Sequence, residues 1–151
     1  MRSGVRLGVD VGKARVGVAR SDPSALLAVP VETVPRTDAT VPRLVTLAQE
    51  HDAIEIVVGL PVNLRGVPTA STDDARAVAE ELAAAVSVPV RLVDERLSTV
   101  SAHAALRESG RSQRSSRNIV DQVAATVLLQ HALDSERGSG LPPGTLVSIE
   151  R

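Results

Sequence analysis

The chain contains no Phe, Tyr or Trp and no Cys. Proteins that hold single-stranded nucleic acid by base stacking need aromatic platforms, so single-strand binding folds and the common RNA-recognition modules are disfavoured. Without Cys there are no disulfides, no thiolate zinc sites and no cysteine nucleophiles. Lysine is nearly absent too: sixteen of the seventeen basic residues are Arg, and Lys13 is the exception. Arg suits bidentate contact with phosphate. Neither charge sign is in large excess, with a net charge of −1, so any basic surface must be local. Long apolar runs are also missing. The best candidate, Ile119 to Leu133, is interrupted by Asp121, Gln122, Gln130 and His131, which excludes a membrane-spanning helix. Met1-Arg2-Ser3-Gly4 leads straight into a strand-like pattern with no signal-peptide apolar region. A cytoplasmic location and no membrane partner are therefore expected.

What remains is ordinary for a globular protein: 151 residues, 43% hydrophobic and 23% charged, enough for one domain with a full core. That domain is expected over residues 1–137. Residues 138–151 read as a flexible tail, because Gly138 to Gly144 holds three Gly and two Pro. Val5 to Val11 and Val16 to Ser21 read as a hairpin turning at Gly12 to Arg15. Ala28 to Val34 is a third strand, at an edge because of Pro30. A helix follows over Thr40 to Glu50, with Thr40 as its N-cap. Ile54 to Val58 and Val88 to Val93 read as buried parallel strands. Between them lies a helix over Ser71 to Val86, capped by Ser71 or Thr72. Thr99 to Glu108 and Ile119 to Asp134 are the last two helices, separated by a polar, basic loop, Arg111 to Arg117. The order predicts an α/β fold: a mixed five-stranded sheet, antiparallel meander first and parallel strands after, flanked by helices.

Asp10 sits inside the apolar run Leu7-Gly8-Val9-Asp10-Val11-Gly12. A carboxylate there must be paired or bound to a metal, because burying it alone is costly. Glu95 lies just past the last strand, and parallel strands would bring it to the same sheet edge as Asp10. Asp121 shares a helix face with Ala124, Ala125 and Leu128. Three converging acids make an oxygen-donor site for Mg²⁺ or Mn²⁺, and two such ions can drive phosphodiester hydrolysis. Each acid also has a plain alternative. Asp10 could pair with Lys13, Arg15 or another Arg. Glu95 could pair with Arg96 or cap Thr99, and Asp121 could face the dipole at its helix start. Arg107, Arg111, Arg114 and Arg117 precede Asp121 and are either a clamp on a nucleic-acid backbone or a solvated loop. His51, His103 and His131 fall on three separate helices with no ligand spacing.

With these residues in hand, the chain resembles the YqgF-type (RuvX) family of Holliday-junction resolvases and pre-16S rRNA nucleases, from about Val5 to Leu133. The segments that carry the resemblance are Gly8-Val9-Asp10-Val11-Gly12 with Arg15 and Gly17; Val58-Gly59-Leu60-Pro61 with Asn63 and Gly66; Val93-Asp94-Glu95-Arg96-Leu97-Ser98-Thr99; and Asp121 with Ala124, Ala125 and Leu129-Gln130. The resemblance implies an RNase H-like fold, with Asp10, Glu95 and Asp121 as catalytic, metal-binding carboxylates for two Mg²⁺ or Mn²⁺ ions. It also implies that Lys13, Arg15, Arg111, Arg114 and Arg117 touch nucleic acid, either pre-16S rRNA or a four-way DNA junction. Symmetric junction cutting needs two active sites, which favours a homodimer. Two other functions compete: an inactive RNase H-like binding or scaffold protein, and a fragment of an actin-like ATPase, which also opens on strand, Asp, Gly and hairpin.

Overall fold

The structure, a computed structural model, describes residues 2–61, 67–94 and 113–147, with side chains from 121 onward in the last segment. Its elements are β1 (Arg6–Val11), β2 (Arg15–Ser21), β3 (Ala28–Pro35), α1 (Thr40–Glu50), β4 (Glu55–Leu60), α2 (Ala70–Ala85), β5 (Val90–Asp94), α3 (Gln113–Ser139) and β6 (Thr145–Leu146). The strands form one sheet in the order β3-β2-β1-β4-β5-β6. β3, β2 and β1 run antiparallel, and β1, β4 and β5 run parallel. Parallel pairing follows from the crossovers through α1 and α2. The mixed sheet is as expected, and β3, the strand with Pro30, lies at an edge.

The strands are apolar on both faces because both faces are covered. Leu7, Val9 and Val11 of β1, Val16 and Val18 of β2, and Ile56 and Val58 of β4 pack with Leu44, Leu47, Val78 and Leu82 of α1 and α2. The alternate positions face α3: Ala19 and Val57 are buried with Ala125, Leu129, Ala132 and Leu133. Residues on that side are small, and α3 comes correspondingly close. A methyl group built on Gly8 would stand 2.8 Å from the Leu129 Cβ.

Four expectations need correction. The sheet has six strands rather than five. The sixth comes from the segment read as a tail. α3 runs on to Ser139, and Gly140 and Gly144 take positive φ, after which Thr145 and Leu146 pair antiparallel with β5. The Gly and Pro residues were therefore turn formers as much as signs of flexibility. The stretch Arg111–Arg117 is helical from Gln113 onward. Its Arg and Ser residues show no apolar face, but a helix already nucleated over 119–134 propagates at little cost. The caps also shift by a few residues. Ala39, not Thr40, is the N-cap of α1; the Thr40 hydroxyl instead accepts the Thr37 N–H and donates to the Pro35 carbonyl. Thr69 caps α2, and the Thr72 hydroxyl accepts the Thr69 N–H while donating to the Pro61 carbonyl. The expected helix at Thr99–Glu108 lies outside the described residues.

Candidate active site at the carboxyl edge of the sheet

β1, β4 and β5 end together, at Val11, Leu60 and Asp94, which makes one sheet edge from three parallel strands. Asp10 is the penultimate residue of β1 and pairs directly with Gly17 of β2. Directly paired residues project from the same face, with Cβ positions about 5 Å apart. That face belongs to α3. A methyl group on Gly17 would fall 1.9 Å from the Asp121 carbonyl oxygen. Gly17 therefore lets the α3 backbone settle on the sheet beside Asp10, and Asp121 arrives at that point. Asp10 and Asp121, separated by 111 positions in sequence, are thus both neighbours of Gly17.

Asp121 is half-buried, and Ala124, Ala125 and Leu128 are buried, so the helix face assigned from sequence is the packing face. It does not lie in the first turn, since α3 begins eight residues earlier at Gln113. The helix dipole acts within the first turn and cannot account for it. Its partner is Arg15, whose Nε donates to the Asp121 Oδ2 at 2.8 Å. The Arg15 side chain is 32% exposed and that of Asp121 18%, so the pair is shielded on one side and wet on the other. An arginine pair at this edge was one alternative weighed for Asp10; the structure gives Arg15 to Asp121.

Lys13 is exposed at the tip of the β1–β2 hairpin, between Gly12 and Arg15, which close it with a Gly12 N–H to Arg15 carbonyl bond of 2.9 Å. Arg114 and Arg117 lie in the first turns of α3, seven and four residues before Asp121, in the same helical register. Their side chains, together with all of Glu95 and Arg111, lie outside the described residues. Glu95 directly follows Asp94, the last residue of β5.

The donor set suits a hard divalent cation. Asp10 and Asp121 offer carboxylate oxygens, and among the described residues no group of three or more acids or imidazoles that could hold a metal ion forms. Two carboxylates fit a Mg²⁺ or Mn²⁺ site in kind, and a third ligand has to come from elsewhere in the chain.

Two features here escaped the sequence reading. Arg36, just after β3, clasps Asp74 of α2 with two bonds of 2.8 and 2.9 Å and also donates to the Gly12 carbonyl at 2.8 Å. The Arg36 guanidinium holds the Asp74 carboxyl below its usual range. At the opposite sheet edge, Arg6, Glu55 and Glu136 are almost fully buried, and Arg2 reaches in to both acids. Burial pushes the Glu136 pKa up, but Arg2 and Arg6 outweigh it and leave the carboxyl below its ordinary value. Only the buried position of Arg6 inside a strand could have signalled this cluster.

A mixed sheet of this order, helix-covered on both faces and carrying acids at its carboxyl edge, defines an RNase H-like protein. The same fold occurs in "T. thermophilus RuvC in complex with Holliday junction substrate", with a TM-score of 0.60 over 95% of this chain and 99% of that one, at 16% identity. Residues 4–135 match the family model described as "RuvX: Holliday junction resolvase". A protein of Clavibacter michiganensis subsp. michiganensis named "Putative pre-16S rRNA nuclease" is 60% identical, covering 100% of this chain and 96% of its own length. A relative of the same name from Leifsonia xyli subsp. xyli is 58% identical over 95% of this chain and 94% of its own. The chain belongs to the RuvX family, as its motifs around Asp10, Gly59, Glu95 and Asp121 led one to expect.

Proposed function

We propose that this protein is a divalent-metal-dependent endonuclease that hydrolyses phosphodiester bonds of structured nucleic acid at the carboxyl edge of its sheet. The observation that supports this reading is that Asp10 pairs with Gly17 and the Asp121 backbone packs onto that same glycine, at the carboxyl edge of the sheet. An inactive scaffold has no use for acids placed at this edge. Asp10 and Asp121, with Glu95 as the third carboxylate, would hold Mg²⁺ or Mn²⁺. Bound there, two such ions would supply Lewis-acid activation of water and stabilisation of the leaving oxygen. The chain's own residues do the rest. Asp10 is fixed by the β1–β2 pairing, and Asp121 is fixed by helix packing and by Arg15. Lys13 at the hairpin tip, with Arg111, Arg114 and Arg117 and with Arg15 beside the acids, faces the phosphate backbone, giving contacts that position without reading sequence.

The substrate favoured is pre-16S rRNA, trimmed at its 5′ end in the cytoplasm, because relatives at 60% and 58% identity bear that name. A four-way DNA junction is the second reading, favoured by the family description. Junction cutting needs two sites, which favours a homodimer, whereas trimming one rRNA strand needs a single site. The test is side-by-side cleavage of a pre-16S leader RNA and a four-way junction, with Mg²⁺ and with Mn²⁺, by the wild type and Asp10→Asn. Cleavage by the wild type alone, with both proteins equally folded, supports the proposal. Equal cleavage by Asp10→Asn refutes it. A fragment of an actin-like ATPase would instead bind ATP.

A further inference from the structure

The hairpin that carries Lys13 and Arg15 is closed by a single backbone bond of its own, from the Gly12 N–H to the Arg15 carbonyl, and its turn is not of the favoured kind. Tight two-residue hairpins favour turns with positive φ at the tip, because their twist matches that of the strands. Gly12, Lys13 and Ala14 are all absent from the positive-φ residues. The tip is also held from outside. The Arg36 backbone N–H donates to the Ala14 carbonyl at 3.0 Å. Its guanidinium donates to the Gly12 carbonyl at 2.8 Å and, with the same Nη1 and the neighbouring Nη2, forks onto both carboxylate oxygens of Asp74. Asp74 lies early in α2, and α2 is itself tied to the end of β4 through the Thr72 hydroxyl on the Pro61 carbonyl. Arg36 thus joins the hairpin tip to the ends of two further elements at the same sheet edge. One step along the chain from this clasp, Arg15 reaches Asp121.

We propose that Arg36 is a positioning residue: braced by Asp74, it sets the β1–β2 hairpin tip and, through that tip, the place of Lys13 and the Arg15–Asp121 pair. Its consequence for substrate rests on the function proposed above; its effect on the tip does not. Asp74 orients the fork. The Gly12 carbonyl is a second acceptor that a flexible ammonium cannot reach while keeping a bidentate hold on Asp74, so Lys should not replace Arg here.

The test uses the full chain. In nitrogen-15 spectra, Arg36→Gln and Asp74→Asn are expected to speed exchange of the Arg15 Nε–H and the Arg15 amide at least about five-fold, with the rest of the spectrum retained. The dissociation constant for a labelled pre-16S leader RNA is expected to rise about five- to ten-fold in Arg36→Gln and in Arg36→Lys. Added to Lys13→Ala, Arg36→Gln should cost less than about two-fold more, since both act at one tip. Unchanged Arg15 signals in both variants overturn the proposal. So does full rescue by Arg36→Lys, which would leave only a general charge effect, and so does fully additive loss with Lys13→Ala. If the Arg15 signals respond while Lys13→Ala and Arg36→Gln bind RNA like the wild type, Arg36 still positions the tip. That result instead overturns the assignment of this edge to nucleic acid.

Discussion

Gly17→Ala puts one methyl group where α3 meets the sheet. Its Cβ would lie 1.9 Å from the Asp121 carbonyl oxygen, 2.3 Å from the carbonyl carbon and 3.1 Å from Cα. All three are backbone atoms, so no side chain can rotate away. Either α3 retreats by about 1 Å or β2 bends. Overpacking of this kind costs about 1–3 kcal/mol, and rigid backbone places this case at the upper end or beyond. The activity loss should be larger than the instability alone explains. Gly17 is paired with Asp10, so the displacement falls directly between Asp10 and Asp121. A misplacement of about 1 Å at a reacting centre can lower rate about 100-fold. Urea unfolding gives the stability, and cleavage under conditions where each protein stays folded gives the rate. Gly8→Ala is the matched comparison. It also faces α3 but meets the Leu129 Cβ at 2.8 Å and the Ala125 oxygen at 3.1 Å, two residues further from the edge than Asp10. It should destabilise less and leave the rate closer to normal. Gly138→Ala, which meets nothing within 4 Å, should be neutral or stabilising by up to about 1 kcal/mol. A Gly17→Ala protein with wild-type stability and rate would mean that the close approach does not position the acids.

Three further outcomes are expected. Glu136→Gln leaves the buried Arg6 guanidinium without its carboxylate partner, so unfolding in urea should show a loss of about 3–5 kcal/mol; a loss under about 1 kcal/mol means the cluster is not a structural unit. Acid should act on the same group. The folded-state pKa of Glu136 lies below its ordinary 4.5, so its contribution is present above that value and fades as pH falls through the lower, folded one. Melting temperature measured between pH 6 and pH 2 should therefore drop more steeply in the wild type than in Glu136→Gln, and parallel curves would exclude the linkage. Arg15→Gln removes a half-exposed ion pair and should cost no more than about 1 kcal/mol of stability, read by thermal melting, while cleavage falls well beyond that. A rate unchanged within two-fold would confine Arg15 to a structural role.

The parallel core was legible because β1, β4 and β5 are short, doubly covered apolar runs that only helix-flanked strands use. Asp10 stood out for the same reason, as an acid in a run with no polar alternation. Asp121 was placed on the correct helix face by its spacing to Ala124, Ala125 and Leu128. The start of its helix was missed because Gln113 to Arg117 has no apolar periodicity, and helices extend beyond their periodic part when nothing stops them. β6 was missed because a two-residue strand has no pattern, and its pairing depends on turns at Gly140 and Gly144. The Arg36–Asp74 clasp and the Arg2–Arg6–Glu55–Glu136 cluster join residues far apart in sequence, and no local spacing encodes such pairs. Gly17 was quoted only as part of a motif. Its physical role, admitting the α3 backbone beside Asp10, exists only once the helix is docked.

In the proposed site Asp10 and Asp121 act together on one divalent cation. The most direct measurement is calorimetric titration of Mn²⁺ into the wild type, Asp10→Asn, Asp121→Asn and the double variant, with folding checked by circular dichroism. Each single substitution should weaken binding at least about ten-fold, and the double should be little worse than either alone, as for ligands of one site. Wild-type Mn²⁺ affinity in both folded single variants would mean that the two carboxylates share no cation.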